Sequence, residues 1–283
     1  MEQEIQNWIS EFIEIERNKR FSSNGKILEL DIYIPSKNIG IEFNGLYWHS
    51  EGAGVSRKYH IDKTNWFKDN FDIQIIHIFE NEWIQKQDIT KSIILNKVGK
   101  SPIRVFARKC KIVELTSKEY RDFLDENHIQ GAMNSKQKYA LTYDNDIVAV
   151  MGFGKNRFKK GDMELHRFCC KTNMSVIGGF SRLLKHFIRN HETVAITSYC
   201  DMRYSIASGY IKNGFEIENI STPNYFYFNK EDLTLKSRVQ FQKHKLKDKL
   251  EFFDSSLTEW ENMQMNGWNR IWDCGNYVLK YSK

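Results

Sequence analysis

LDIYIPSKNIGIEFNGLYWHSE, residues 30–51, is the stretch on which the reading of this chain turns. Two short apolar runs, Ile27 to Ile34 and Ile39 to Phe43, flank Pro35-Ser36-Lys37-Asn38, a polar interval of the kind that closes a tight turn between strands. Each run carries an acid, Asp31 in the first and Glu42 in the second. Strands joined in this way can bring two carboxylates to one edge of a sheet, where oxygen ligands suit a hard cation such as Mg²⁺ (or Mn²⁺) that keeps several of its waters. A cation so held polarises a phosphoryl oxygen and turns bound water into a nucleophile. His49 follows, beside Tyr47 and Trp48, and His60 and Lys63 stand three apart on a helical stretch, hence on one face. A histidine suits proton transfer near neutral pH, and a lysine suits charge developing on a phosphate.

Outward from this stretch, Glu2 to Arg20 spaces Ile5, Trp8, Ile9, Phe12 and Ile13 as one amphipathic helix. Tyr59 to Asn70 reads as a helix, Ile73 to Phe79 as a buried strand, and Ile84 to Val98 as a closing helix. The order α-β-β-loop-α-β-α describes a small α/β domain over residues 1–99. The pattern lapses at Gly99 to Pro102, and a second α/β domain follows over residues 103–283. There Ile103 to Leu115 is extended, and Thr116 or Ser117 caps a helix over Glu119 to Asn127. Tyr139 to Tyr143 and Ile147 to Phe153 form a hairpin about Asp144-Asn145-Asp146. Strand Glu164 to Cys170, a loop with Gly178-Gly179, helix Phe180 to Asn190, strand Val194 to Cys200 and helix Tyr204 to Lys212 complete the run, before Gly214-Phe215 and a last strand.

Of the 283 residues, 28% are charged and 41% hydrophobic, the balance of a globular chain. Glu2, Glu4, Glu11, Glu14 and Glu16 exclude a secretory leader or an acid-poor transit peptide, and the longest apolar runs are far short of the roughly 20 residues that span a bilayer. Five cysteines without a C-x-x-C pair read as reduced thiols. These features point to the cytoplasm of a bacterial or phage-infected cell, with no membrane partner. The net charge of +6 is uneven, and the densest cationic stretch is KSRVQFQKHKLKDK, residues 236–249. A basic surface favours a polyanion through counterion release, which makes Lys243, Lys245 and Lys247 candidates for DNA contact, with Arg203 and Arg270 beside them.

The strand Asp31-Ile32-Tyr33-Ile34 and the segment Gly45-Leu46-Tyr47-Trp48-His49 resemble the D-I-x-[FI] strand and the G-C-F-W-H segment of the very-short-patch-repair (Vsr) branch of the PD-(D/E)XK nucleases; the resemblance covers residues 1–97. It implies Asp31 as a metal-binding carboxylate, the main-chain carbonyl of Phe43 as a second ligand, His49 as the proton-transfer residue, and a first-helix glutamate, Glu2 or Glu4 with Glu2 favoured. The superfamily's E-x-K is Glu42-Phe43-Asn44 here, with Lys63 as the substitute charge, and the Vsr zinc cysteines are missing. IEFNGLYWHSE, then Tyr59-His60-x-x-Lys63, then Ile78-Phe79-Glu80-Asn81-Glu82-Trp83 is similar to phage Hef-like homing endonucleases, which adds Glu82 as a secondary candidate. Residues 103–230 resemble the GNAT acyltransferase fold, through Val176-Ile177-Gly178-Gly179-Phe180-Ser181 and Tyr210-Ile211-Lys212-Asn213-Gly214-Phe215.

The expectation is therefore a Vsr-like nuclease domain followed by a GNAT-like domain for DNA engagement. Its activity would be Mg²⁺-dependent, homing-type cleavage of double-stranded DNA, with Asp31, Glu42, His49, His60, Lys63 and Glu2 as the catalytic set and Asp31, Phe43 and Glu42 at the metal. The alternatives are acyl transfer by the GNAT-like domain, or DNA binding with an inactive first domain.

Overall fold

The structure, a computed structural model, describes residues 1–156, 159–192 and 195–282. The chain is mixed α/β and divides into two compact units. Unit 1 comprises Met1–Gln85, Asp201–Ser205 and Thr222–Gly275; unit 2 comprises Lys86–Cys200, Ile206–Ser221 and Asn276–Lys283.

In unit 1, helix α1 (Glu2–Ser10) is followed by β1 (Glu16–Ser23), β2 (Lys26–Ile34), β3 (Ile39–Asn44), α2 (Tyr59–Phe71), β4 (Gln74–Phe79) and α3 (Glu80–Gln85). The four strands lie in the order β1-β2-β3-β4; the first three run antiparallel, and β4 is parallel to β3 across the α2 crossover. The single helix expected over Glu2 to Arg20 is corrected: it ends at Ser10, and Glu16–Ser23 is a strand. The cause is local. Asn24 and Gly25 both take positive φ, 52° and 74°, which is the two-residue turn that joins twisted antiparallel strands. Once β2 exists, that turn folds residues 16–23 back onto it, and inter-strand hydrogen bonds override the helical spacing. Buried Leu30, Phe67, Ile73 and Ile75 pack together with Phe21 and Tyr33 and fasten α2 to the sheet.

In unit 2, the expected closing helix is α4 (Gln87–Val98), followed by β5 (Ile103–Phe106), β6 (Lys111–Glu114), α5 (Ser117–Asn127), β7 (Gln137–Tyr143), β8 (Asp146–Lys155), β9 (Met163–Cys170), β10 (Met174–Ile177), α6 (Gly179–Asn190), β11 (Ala195–Asp201), α7 (Ser208–Ile211) and β12 (Glu216–Ile220). Thr116 caps α5 in a capping box with Glu119. Val194, expected to open a strand, lies outside the described residues; the strand begins at Ala195. The helix expected over Tyr204 to Lys212 shrinks to the single turn of α7, because Asp201 to Ser205 instead serve unit 1.

The chain then returns to unit 1 with β13 (Tyr225–Asn229), β14 (Lys236–Ser237), α8 (Lys243–Leu246), α9 (Glu259–Met265) and β15 (Trp268–Trp272), and ends in unit 2 with β16 (Asn276–Ser282). β13, β14 and β15 form a separate three-stranded sheet, whose core is Tyr225, Tyr227, Phe241, Leu246, Met263 and Trp272. Residues 222–275 therefore belong with the first 85 residues, and α4 does not, which corrects the division at residue 99. Pairing is the physical reason: Ser50 bridges to Ile271, and Asn269 Oδ1 accepts from Gly52 N–H at 3.0 Å. Conversely, Ser92 Oγ of α4 accepts from Asn173 N–H at 2.8 Å within unit 2.

The large sheet of unit 2 runs β12-β16-β11-β9-β8-β7-β6. β6 to β9 are antiparallel, whereas β9 and β11 are parallel and share three pairs among the described residues, ending at Leu165–Ser198. Beyond that pair the two strands part. No helix among the described residues is long and apolar enough to cross a membrane.

Candidate functional site

In unit 1, Asp31 sits where the ladders of the sheet open. Asn18 takes φ 49°, so β1–β2 pairing skips from Arg17–Ile32 to Lys19–Leu30, and β2–β3 pairing stops at Ile32–Ile41. Backbone groups freed inside a fold need partners. Gln6 of α1 supplies one: its Nε2 donates to the Asp31 carbonyl at 3.1 Å and to Glu2 Oε1 at 3.1 Å. Phe43 N–H donates to Asp31 Oδ2 at 2.7 Å. Glu42, 2% exposed, accepts from Lys63 Nζ of α2 at 2.5 Å through Oε2, while its Oε1 is buried without a hydrogen-bond partner. The fold thus gathers Glu2, Asp31, Glu42 and Lys63; Glu4 is exposed on α1.

Burial and the neighbouring Glu2 charge push Asp31 up to about 6, against the Phe43 amide and Lys63. Burial pushes Glu42 up to about 8, with Asp31 adding to it and Lys63 opposing. Burial also works against charge on Lys63, but the Glu42 carboxylate outweighs it and holds the ammonium above its ordinary value. Among the described residues no group of three His, Cys, Asp or Glu side chains is arranged to hold a metal. The unpartnered Glu42 Oε1 beside Asp31 does fit a hard cation that takes one or two carboxylates and retains its waters.

Behind these acids lie three histidines. His49 and His60 stack with ring centroids 5.6 Å apart, and His60 and His77 meet edge to face at 5.4 Å. His60 Nε2 contacts Asn44 Oδ1 at 3.1 Å, and His77 Nε2 contacts Thr64 Oγ1 at 2.8 Å. Burial, helped by Lys63, lowers His49 to about 4; burial, helped by His49, lowers His60 to about 3; His77 is held well below its ordinary value by burial. All three are neutral near pH 7. His60, 1% exposed, is an internal link between His49 and His77. His77 lay unnoticed in the sequence as one of two polar residues, with Gln74, in an otherwise apolar run.

Three expected residues are corrected. Arg203 is 3% exposed: it pairs with Glu82 Oε1 at 2.9 Å and Asp201 Oδ2 at 3.1 Å, and lies over the Phe79 ring, 4.3 Å to the centroid. It is spent inside unit 1 and reaches no phosphate. The same pairing, with Phe79 N–H donating to Glu82 Oε2 at 2.9 Å, makes Glu82 structural. Arg270 donates to both oxygens of Glu51 at 2.7 Å and stacks over Trp260 at 4.3 Å. Lys243 and Lys247 are exposed, while Lys245 Nζ donates to the Val239 carbonyl at 2.9 Å; all three belong to unit 1 rather than to a basic second domain.

Unit 2 holds a constellation that the sequence reading missed. Ser135 Oγ lies 3.0 Å from His166 Nδ1, and His166 Nε2 lies 4.0 Å from Glu164 Oε1. Ser135 also donates to Tyr120 Oη at 3.3 Å. Two glycines of β8 make the room: a Cβ on Gly154 would stand 2.3 Å from His166 Cε1, and one on Gly152 would stand 2.1 Å from Tyr120 Oη. Gly-Phe-Gly inside a strand was the available signal, since glycine there marks a close approach. His166 is the residue of β9 immediately after the last β9–β11 pair, and across that fork Ser198 Oγ donates to Tyr210 Oη at 3.4 Å. Burial pushes Tyr210 up to about 12, so its hydroxyl stays protonated. Gly178, φ 77°, precedes the N-terminus of α6.

No family model matches the chain, and no curated protein is similar to it. Among solved structures, it is similar to a GNAT family acetyltransferase from Elizabethkingia anophelis with acetyl-CoA bound (14% identity, 62% of this chain, 99% of that chain, TM-score 0.35). It is also similar to an IAA acetyltransferase from Bacillus cereus (14%, 62% and 99%, TM-score 0.36) and to an aminoglycoside 6'-acetyltransferase type Ii (12%, 61% and 96%, TM-score 0.35). Likenesses this distant do not fix an activity. None of the three is a nuclease, however, and the expectation of a Vsr-like homing endonuclease is corrected on that finding and set aside.

Proposed function

We propose that unit 2 is an acyltransferase of GNAT-like architecture, taking an acyl group from a coenzyme A thioester. The observation that carries this is the Ser135–His166–Glu164 relay beside the fork of β9 and β11. An acceptor amine entering the fork attacks the thioester carbonyl. Ser135, once its hydroxyl proton turns from Tyr120 Oη to His166 Nδ1 and passes to that nitrogen, takes the amine proton, and Glu164 offsets the charge of the resulting imidazolium. The new bond joins nitrogen to the acyl carbon, the carbon–sulfur bond breaks, and the departing thiolate takes the Tyr210 proton. The amides after Gly178, at the N-terminus of α6, suit the diphosphate of the donor. The test is release of free thiol from acetyl-coenzyme A with a panel of amines. Turnover that falls about 100-fold or more in His166→Ala, the usual scale for losing a general base, is expected. Absence of thioester binding, or equal turnover in His166→Ala, overturns the reading.

A second reading is favoured by the unpartnered Glu42 Oε1. Unit 1 would bind a divalent cation, Mg²⁺ or Mn²⁺, through Asp31 and Glu42, with duplex DNA as the partner whose phosphates approach that cation and Lys63. Bound there, the cation would polarise a phosphate oxygen. Calorimetric titration with Mn²⁺ should show a site that Asp31→Ala removes, and fluorescence anisotropy should show duplex affinity. Mn²⁺ binding unchanged in Asp31→Ala would end the cation assignment.

A further inference from the structure

Unit 1 contains a cavity of about 200 Å³ that neither site above uses. Its lining includes Tyr47, Trp260, Trp268 and Asn269, together with the exposed Lys230 and Gln264. Drug-sized ligands occupy pockets of roughly 300 Å³ or more, so this one suits a single planar ring system. Three features restrict the occupant. Tyr47, Trp260 and Trp268 place aromatic side chains among the lining residues, which favours a flat π-face over an aliphatic chain. Gln264, exposed on α9, offers a donor and an acceptor together, which matches the mixed edge of a nucleobase. Lys230, exposed, has its Nζ 5.8 Å from the centroid of the Tyr47 ring, so one cation stands where an aromatic wall meets solvent. An aromatic ring, an amide and a cation are groups that suit a base, its Watson–Crick edge and its phosphate.

We propose that this cavity holds one unpaired nucleobase of a DNA strand, stacked against its aromatic walls with the adjoining phosphate at Lys230. The proposal deepens the reading of unit 1 as DNA-contacting, and rests on it for the strand's identity as DNA. Tyr47 ties the two places together in the chain: it lines the cavity, and two residues on, His49 joins the histidine cluster behind Glu42.

The test uses the full chain and a short single strand carrying one 2-aminopurine, whose emission falls when the base stacks. Titration with wild-type protein should quench it. Gln264→Glu, at an exposed helical position, removes the amide donor and sets a like charge near the phosphate, and should weaken the interaction by about fivefold or more, the scale of one lost hydrogen bond. Lys230→Glu, a surface change, should weaken it while leaving the thermal melt unchanged. No quenching by wild type overturns the proposal, as does equal quenching by both variants. Should Gln264→Glu fail to fold, undiminished quenching by Lys230→Glu alone overturns it. Duplex affinity is measured in parallel by anisotropy. Duplex binding without quenching sinks the cavity and leaves the DNA reading of unit 1 standing. Quenching without duplex binding does the reverse.

Discussion

Glu42 and the histidines beside it titrate in opposite senses, and their windows can be separated. A histidine whose folded pKa is depressed stabilises the fold above its ordinary value near 6.5 and loses that contribution as pH falls toward the folded one. For His49 and His60 the loss runs from about 6.5 down to about 4 and about 3. A carboxyl raised to about 8 binds protons more readily in the folded state, so its contribution is present at lower pH and drains as pH rises through about 8. Between pH 6.5 and 8 the Glu42 effect stands apart from the histidines, worth up to about 2 kcal/mol at about 1.4 kcal/mol per unit. The melting temperature should therefore decline over that interval without divalent cation. Glu42→Gln should flatten the decline, and Mn²⁺ should raise stability most at the alkaline end. Melting curves at four pH values decide the matter; a Glu42→Gln profile parallel to wild type would refute the assignment. Arg203 gives a second prediction. Arg203→Ala strips the partner from two acids inside unit 1, and breaking a buried pair costs about 3–5 kcal/mol. It should lower stability severely, where a DNA-contact residue would lower affinity alone.

At the scale of elements, two local devices set the sites. The Asn24-Gly25 turn makes β1, and β1 with its Asn18 irregularity opens the ladder at Asp31. Gly25→Val should cost about 1 kcal/mol or more, because a β-branched residue is strained at φ 74°. Urea melts would read the loss, and unchanged stability would mean the turn does not direct the strand. In unit 2, Gly154 admits the His166 ring. Gly154→Ala must displace it, so thiol release should drop as in His166→Ala while the fold persists. Full activity in Gly154→Ala would remove His166 from the reaction.

At the scale of the molecule, charge is divided sharply between the two units. Unit 1 has 18 Lys and Arg against 23 Asp and Glu, a net −5; unit 2 has 24 against 13, a net +11. The lysines of residues 243–249 are therefore a local cationic patch on an otherwise acidic unit. Each phosphate neutralised steepens the fall of duplex affinity with salt by about 0.9 in log–log slope. Replacing Lys243, Lys245 and Lys247 by Ala should flatten the slope by up to about 3, since Lys245 keeps its charge while donating to the Val239 carbonyl. A salt titration of anisotropy measures this, and an unchanged slope would return the patch to ordinary solvated surface.

The sequence by itself determined what depends on near neighbours. The Pro35–Asn38 break between two strands, the Thr116 cap, the hairpin about Asp144-Asn145 and the gathering of Asp31, Glu42 and Lys63 all follow from short-range pattern, because turns, caps and a strand–helix–strand crossover are specified within a few dozen residues. It misread Glu16–Ser23, where helical spacing competed with a turn signal and inter-strand pairing won. What only the tertiary structure decided involves partners far apart in the chain. Arg203 finds Glu82, and Arg270 finds Glu51, so two cations that look available in the sequence are consumed as buried or stacked pairs. Ser135 meets His166 only because β8 carries glycine where they approach, and residues 222–275 join the first 85 only through pairing at Ser50 and Ile271. A charge's availability and a hydroxyl's partner are properties of three-dimensional distance, and separation along the chain carries no record of it.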